Sequence, residues 1–143
     1  MLYSIKINNK KEYRMRLLPT SIVAIIAASA FSMPVQANSD QLAANICNYV
    51  QADDKNRLRK KLKENRVKLR NIYSGVKCNG DSLLRTAMNS GSEKVGTFIA
   101  KRLSVSELTA TETDGKTILD WANGNGHGAS AITTAIKDRT AGG

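Results

Sequence analysis

The chain has 143 residues, with 22 Lys plus Arg against 12 Asp plus Glu, two Cys, one His and one Trp, and a formal net charge of +10. That length fits one domain, or one domain and a targeting segment. One His and two Cys exclude a four-ligand His/Cys zinc site, and seven aromatics are few for a base-stacking single-strand binder.

The first elements form an address. Lys6, Lys10, Lys11, Arg14 and Arg16 stand against one acid, Glu12, and the 23 residues from Leu17 to Ser39 carry no charge. The apolar heart runs from Ile22 to Ala30, and Val35 and Ala37 place small residues before a cut ahead of Asn38. Basic, apolar and small-residue regions in that order predict a secretory signal peptide over residues 1–37, with Met15 as an alternative start. The competing reading is a retained anchor, but Pro19, Thr20, Ser21, Ser29, Ser32 and Pro34 dilute the run. Removal of residues 1–37 leaves 38–143 with 17 bases and 11 acids, a net charge of +6. Residues 51–70 alone hold nine bases and three acids, so the positive charge belongs to one segment.

Helical spacing follows. Ser39 is expected to cap a helix to about Val50, with Leu42, Ile46, Cys47 and Val50 on one face. Asp53 and Asp54 are expected to open a second helix at its positive end, with Leu58 and Leu62 as its stripe and an end near Asn65. Ser90 with Glu93, and Ser104 with Glu107, read as capping boxes. Asn123 to Gly126 reads as a turn between two last helices, about 117–123 and 128–138. No alternating strand is present, so the class is all-α. Cys47 and Cys78 are the only cysteines, and in an exported chain pairing is the default. Closing that loop contributes about 3–4 kcal/mol in the chain-entropy model; a redox pair would call for the close Cys-x-x-Cys spacing that is absent.

Self-comparison reveals a repeat. Asn79-Gly80-Asp81-Ser82-Leu83-Leu84, with Ala87 and Gly91, aligns at an offset of 35 with Asp114-Gly115-Lys116-Thr117-Ile118-Leu119, with Ala122 and Gly126. Upstream, Arg66-Val67-Lys68-Leu69 and Ile72 align with Arg102-Leu103-Ser104-Val105 and Leu108 at 36. A weaker third copy begins around Leu42 to Val50.

Residues 79–140 resemble ankyrin repeats in these units: Gly80 and Gly115, Ser82 and Thr117, Leu84 and Leu119, Ala87 and Ala122, Gly91 and Gly126, and the step Gly126-His127. The chain departs from that family at Leu83 and Ile118, where the family has Pro, and at Arg85 and Asp120, where the family has His. Its period is also two or three residues longer. The resemblance implies about three stacked helix pairs, and the departures bear on the β-hairpin fingers. The stretch Cys47 to Cys78, with its Lys-rich helix and Val76-Lys77-Cys78-Asn79-Gly80, resembles a family of small exported bacterial proteins of unknown function, which brings no catalytic residues.

Candidates for chemistry are sparse. His127 is the lone conventional general base, Asp53-Asp54 suits a helix start, and no phosphate-cradling Gly-Lys motif or Gly-x-Ser-x-Gly elbow occurs. Gly-x-Gly at 124–126 follows no strand and fails as a dinucleotide site, and Trp121 suits the core between repeats. The unusual feature is the set Lys55, Arg57, Arg59, Lys60, Lys61, Lys63 and Arg66, a cationic surface for a partner or a polyanion, or else the solvated outer face of an end repeat.

The expectation is an exported, periplasmic or secreted, non-enzymatic binding module with another protein as partner. No cofactor, metal or specific nucleic acid enters, and the oligomeric state is open. Binding of anionic lipid or polyanion through 55–66 is the alternative, and a small hydrolase near His127 and Asp120 the third. Intact mass of the exported chain should give an N-terminus at Asn38 and no thiol alkylated without reductant. A retained leader or two alkylated thiols would contradict it.

Overall fold

Apolar side chains at helical spacing, punctuated by turns that need left-handed backbone, set the architecture. The structure, a computed structural model, describes residues 35–142; residues 1–34, and with them the body of the expected leader and Met15, lie outside the described residues. Among the described residues the chain is all-α, with eight α-helices, one 3₁₀ turn and no strand.

Helix α1 (Val35–Gln51) buries Ile46 and Val50 and half-buries Leu42 and Cys47. Ser39 lies inside this helix, so it is not the expected cap. Helix α2 (Lys55–Glu64) starts where Asp54 accepts the Arg57 N–H at 2.9 Å, and its stripe Leu58 and Leu62 is buried. The chain leaves α2 at Asn65, whose side-chain amide donates to the Lys61 carbonyl at 2.9 Å. The next residue, Arg66, stands at φ 54° and so follows the helix rather than lying on it. A short helix α3 (Leu69–Ile72) runs into the 3₁₀ turn Tyr73–Gly75.

Two repeats come next. The first has α4 (Leu83–Asn89) and α5 (Glu93–Arg102); the second has the short α6 (Val105–Thr109), then α7 (Ile118–Gly124) and α8 (Ala131–Ala141). The 35-residue offset is written into the backbone. Ser82 caps α4 and Thr117 caps α7, each accepting the N–H three residues on. Gly80 and Gly115 have φ +88° and +76°, Gly91 and Gly126 +66° and +82°. At the ends of α4 and α7 the Ser92 N–H reaches the Ala87 carbonyl and the His127 N–H the Ala122 carbonyl, both at 2.8 Å. That is the Schellman closure, which needs a left-handed residue just past the helix. Glycine takes that conformation without a Cβ penalty.

The turns ahead of α4 and α7 are tight. Asn79 and Gly80 both have positive φ between a Cys78–Asp81 bridge, the two-residue form that Asn-Gly favours. In the second copy Gly115 donates to Glu112 and Glu112 to Lys116, both at 2.9 Å, which makes a three-residue loop beside a Thr111–Thr117 bridge. The fingers are thus reduced to single bridges. The one-residue slip falls between α3 and the first turn, where the 3₁₀ turn lies.

A second expected cap is corrected. Ser90 ends α4, and the residue before α5 is Ser92, whose hydroxyl donates to the Gln51 carbonyl at 3.3 Å instead of capping. The acceptor for α5 comes from 42 residues back: Asp53, at φ 53°, takes the Val95 N–H at 2.8 Å. The Ser104–Glu107 box does form at α6. The last helix starts three residues later than expected, after a Ser130 cap.

The disulfide Cys47–Cys78, with Cα atoms 5.6 Å apart, ties α1 to the first turn. Packing joins α2 to α5 and α5 to α8 in one row, and α4 to α7 in the other, around one apolar cluster from Ile46 to Ile136. Gly96 sets the approach of α5 to α8, because a Cβ there would collide with the Ile132 side chain and press on Ala87. Gly96→Val should cost about 1–3 kcal/mol by overpacking. Urea titration should show a smaller loss when the change is made in an Ile132→Val background.

Candidate functional site

Two arrangements of polar side chains stand out. The first is a cleft of about 740 Å³ where α2, α3 and α5 meet. From α2 come Arg59, Lys60 and Lys63 on its rim and Leu62 in its floor; from the next segment come Val67, Lys68, Leu69 and Arg70; from α5 come Phe98 and Arg102. Six cations and no carboxylate line it. The helical period places Arg59 and Lys63 four apart, on one face. Phe98 and Arg102 share the same spacing, and the Arg102 guanidinium lies 5.2 Å from the Phe98 ring centre. Lys60 reaches Glu64 only at 3.9 Å, and among the described residues no carboxylate pairs with Arg59, Lys63, Lys68, Arg70 or Arg102.

Of the seven cations singled out by the sequence, Arg59, Lys60 and Lys63 line this cleft; Lys55, Arg57, Lys61 and Arg66 do not. Arg57 turns back to Asp54 at 3.3 Å. Lys68, Arg70, Phe98 and Arg102 complete the cleft. Lys68 and Arg70 lie within the charged stretch 51–70. Arg102 is contributed by a helix about forty residues on, and the i, i+4 pairing of Phe98 with Arg102 was the only local sign.

The second arrangement surrounds Arg85, which is buried on α4. Its Nη1 and Nη2 donate to the Asp114 carboxylate at 2.8 and 2.9 Å, and its Nε makes a charge contact with Glu112 rather than an aligned hydrogen bond. Its guanidinium lies 5.0 Å from the Trp121 ring centre, and Trp121 stacks with His127 at 5.5 Å and 17°. His127 Nε2 is 3.3 Å from the Asn89 side-chain oxygen, and the Asn89 amide donates to Asp81 at 3.3 Å. The first repeat is thereby fastened to the second turn. Asp120 does not meet His127 by hydrogen bond: it accepts from the Thr117 hydroxyl at 2.8 Å, as part of the α7 cap.

Charge and burial shift three groups in this quarter. The bidentate bond from Arg85, with the Lys116 N–H, holds the Asp114 carboxyl down at about 2, against an ordinary 3.8. The same bond raises Arg85. Burial pushes the Tyr73 phenol above its usual range.

Residues 46–110 match a family described as a protein of unknown function (DUF3718). That stretch contains both cysteines and every residue lining the cleft, and it stops short of Glu112 and Asp114. No curated protein and no solved structure matches the chain. Among the described residues no group of three or more His, Cys, Asp or Glu is placed to hold a metal ion, and no helix is long and apolar enough to cross a membrane.

A carboxylate whose folded pKa is depressed stabilises the fold above its unfolded pKa, and the benefit is lost as pH falls through the folded value. The Asp114 share of stability should therefore disappear between about pH 4 and pH 2. Thermal melts across that window should fall less steeply for Asp114→Asn than for the parent chain.

Proposed function

We propose that the chain is an exported, non-enzymatic binding module, periplasmic or secreted, in which an ankyrin-like stack presents a surface to another protein. Helical repeats bury their apolar faces only by stacking, and the stack leaves an extended face for contact. The cleft between α2, α3 and α5 carries the reading: it gathers cations from three elements around an apolar floor and includes no carboxylate. A cation-rich rim raises the encounter rate with an acidic partner, and salt screens that effect. The disulfide supports export, since such bonds persist in oxidising compartments. His127 is engaged with Trp121 and Asn89, and Asp120 with a helix cap, which favours contact over hydrolysis.

A second reading, docking on anionic lipid or polyanion surfaces, draws on Lys55, Arg57 and Arg66, exposed cations outside the cleft. Two variants separate the readings. Arg59→Glu with Lys63→Glu should abolish cross-linking of the chain to a protein in envelope extract at moderate salt. Lys55→Gln with Lys61→Gln should leave that cross-link in place while shortening retention on heparin. A cross-link that survives Arg59→Glu with Lys63→Glu, together with heparin retention lost in Lys55→Gln with Lys61→Gln, would favour the polyanion.

A further inference from the structure

We infer that the cleft recognises an acidic segment of its partner through one aliphatic or aromatic side chain flanked by carboxylates. This rests on the binding-module reading above and specifies its ligand. The argument begins with charges that the fold leaves uncompensated. Arg59, Lys63, Lys68, Arg70 and Arg102 have no carboxylate partner among the described residues, and Lys60 has only an exposed one at 3.9 Å. Exposed pairs of that kind contribute little.

Helix-dipole compensation accounts for some of these cations but not for their grouping. Lys63 and Arg102 lie in the last turns of α2 and α5, where a cation suits the negative helix end. Arg59 and Lys60 lie further back in α2, and Lys68 precedes α3. Six like charges gathered about one hollow repel one another within a Debye length of about 8–10 Å. An anion relieves all of them together.

The floor then selects which anion. Leu62 and Leu69 are almost fully buried, while Val67 and Phe98 are half-buried and expose apolar surface between the cations. Inorganic phosphate uses the rim and gains nothing from the floor. A flat bilayer surface meets the rim and leaves the recess unfilled. A peptide side chain entering the recess fills it, and carboxylates on either side of that residue meet cations supplied by α2 on one hand and by α3 and α5 on the other. About 740 Å³ lies within the 300–1,000 Å³ of sites that enclose a compact ligand. The Phe98 ring, with Arg102 against it, presents a half-desolvated anchor point of the type that concentrates binding energy.

The test uses the full chain with its disulfide intact and three synthetic twelve-residue peptides in a Gly-Ser background. The first has a central Phe between two pairs of Glu, the second has Ser in place of Phe, and the third has Lys in place of Glu. Fluorescence anisotropy at low and moderate salt should give measurable binding for the first, at least tenfold weaker binding for the second and none for the third. Arg102→Glu and Lys63→Glu, both at exposed positions, should each weaken the first peptide at least tenfold without lowering the melting temperature. Phe98→Ala should bring the Phe and Ser peptides close together. If that variant melts early, methyl shifts of Val67 and Leu69 in the parent chain, moved by the Phe peptide and not by the Ser peptide, make the same point.

Equal affinity for the Phe and Ser peptides overturns the inference. So does binding to phosphatidylglycerol vesicles that Arg102→Glu abolishes while no peptide binds. If the parent chain cross-links to an envelope protein through the cleft and the Phe peptide does not compete, the inference falls and the binding-module reading stands. If neither cross-link nor peptide binding occurs, both fall.

Discussion

Each helix pair of this chain has an apolar face too wide to be covered by the pair itself. Leu58 and Leu62 on α2, Val95 and Ile99 on α5, and Ile132 and Ile136 on α8 lose contact with water only because successive outer helices pack in a row. Burying a side chain of this size contributes about 1.5–3 kcal/mol, so stacking is the source of the core. It also makes spacing critical. The stack closes because α4 and α7 end in the same Schellman geometry, at Gly91 and Gly126. A side chain with a Cβ at either glycine would resist that backbone and disturb how the following helix meets its neighbour.

Polar links between repeats then fix their register. Asp53, in the turn between α1 and α2, serves as the N-terminal acceptor for α5, and Ser92 answers with a bond to Gln51. Arg85 on α4 is held by Glu112 and Asp114 of the next turn and lies against Trp121. A buried ion pair of this kind specifies which surfaces meet more than it adds stability, because desolvation offsets much of the attraction. The cleft inherits its shape from these links. Asp53, just ahead of α2, bonds to the start of α5 and so ties together the two helices that supply most of its cations.

The helical class, the disulfide and the 35-residue repeat were legible because each rests on local chemistry. Leu58 and Leu62 recur at helical spacing, two cysteines leave one pairing, and glycines at a fixed offset mark backbone that other residues avoid. The errors have a common cause. Ser39 and Ser90 carry the right chemistry for caps, yet α1 extends upstream past Ser39, and Ser90 belongs to the end of α4. Asp53 looked like part of the α2 start, but its left-handed backbone aims it at α5. The cleft was half visible: Arg59, Lys60 and Lys63 come from the basic helix, whereas Arg102 and Phe98 arrive through the fold. In the sequence Arg85 stands out only as a departure from a repeat pattern, since nothing local announces that its carboxylates lie 27 and 29 residues on.

A stack whose units touch only their neighbours unravels from its ends, and here the ends differ. The leading end is clamped covalently, because Cys47 fastens α1 to the turn that introduces α4. The trailing end has no such clamp: α8 is held by Ile132 and Ile136 in the core and by the Arg139 side chain on the Leu103 carbonyl. Local opening is therefore expected to begin at the carboxyl-terminal hairpin, while the covalent clamp ties down the end that carries the basic recess.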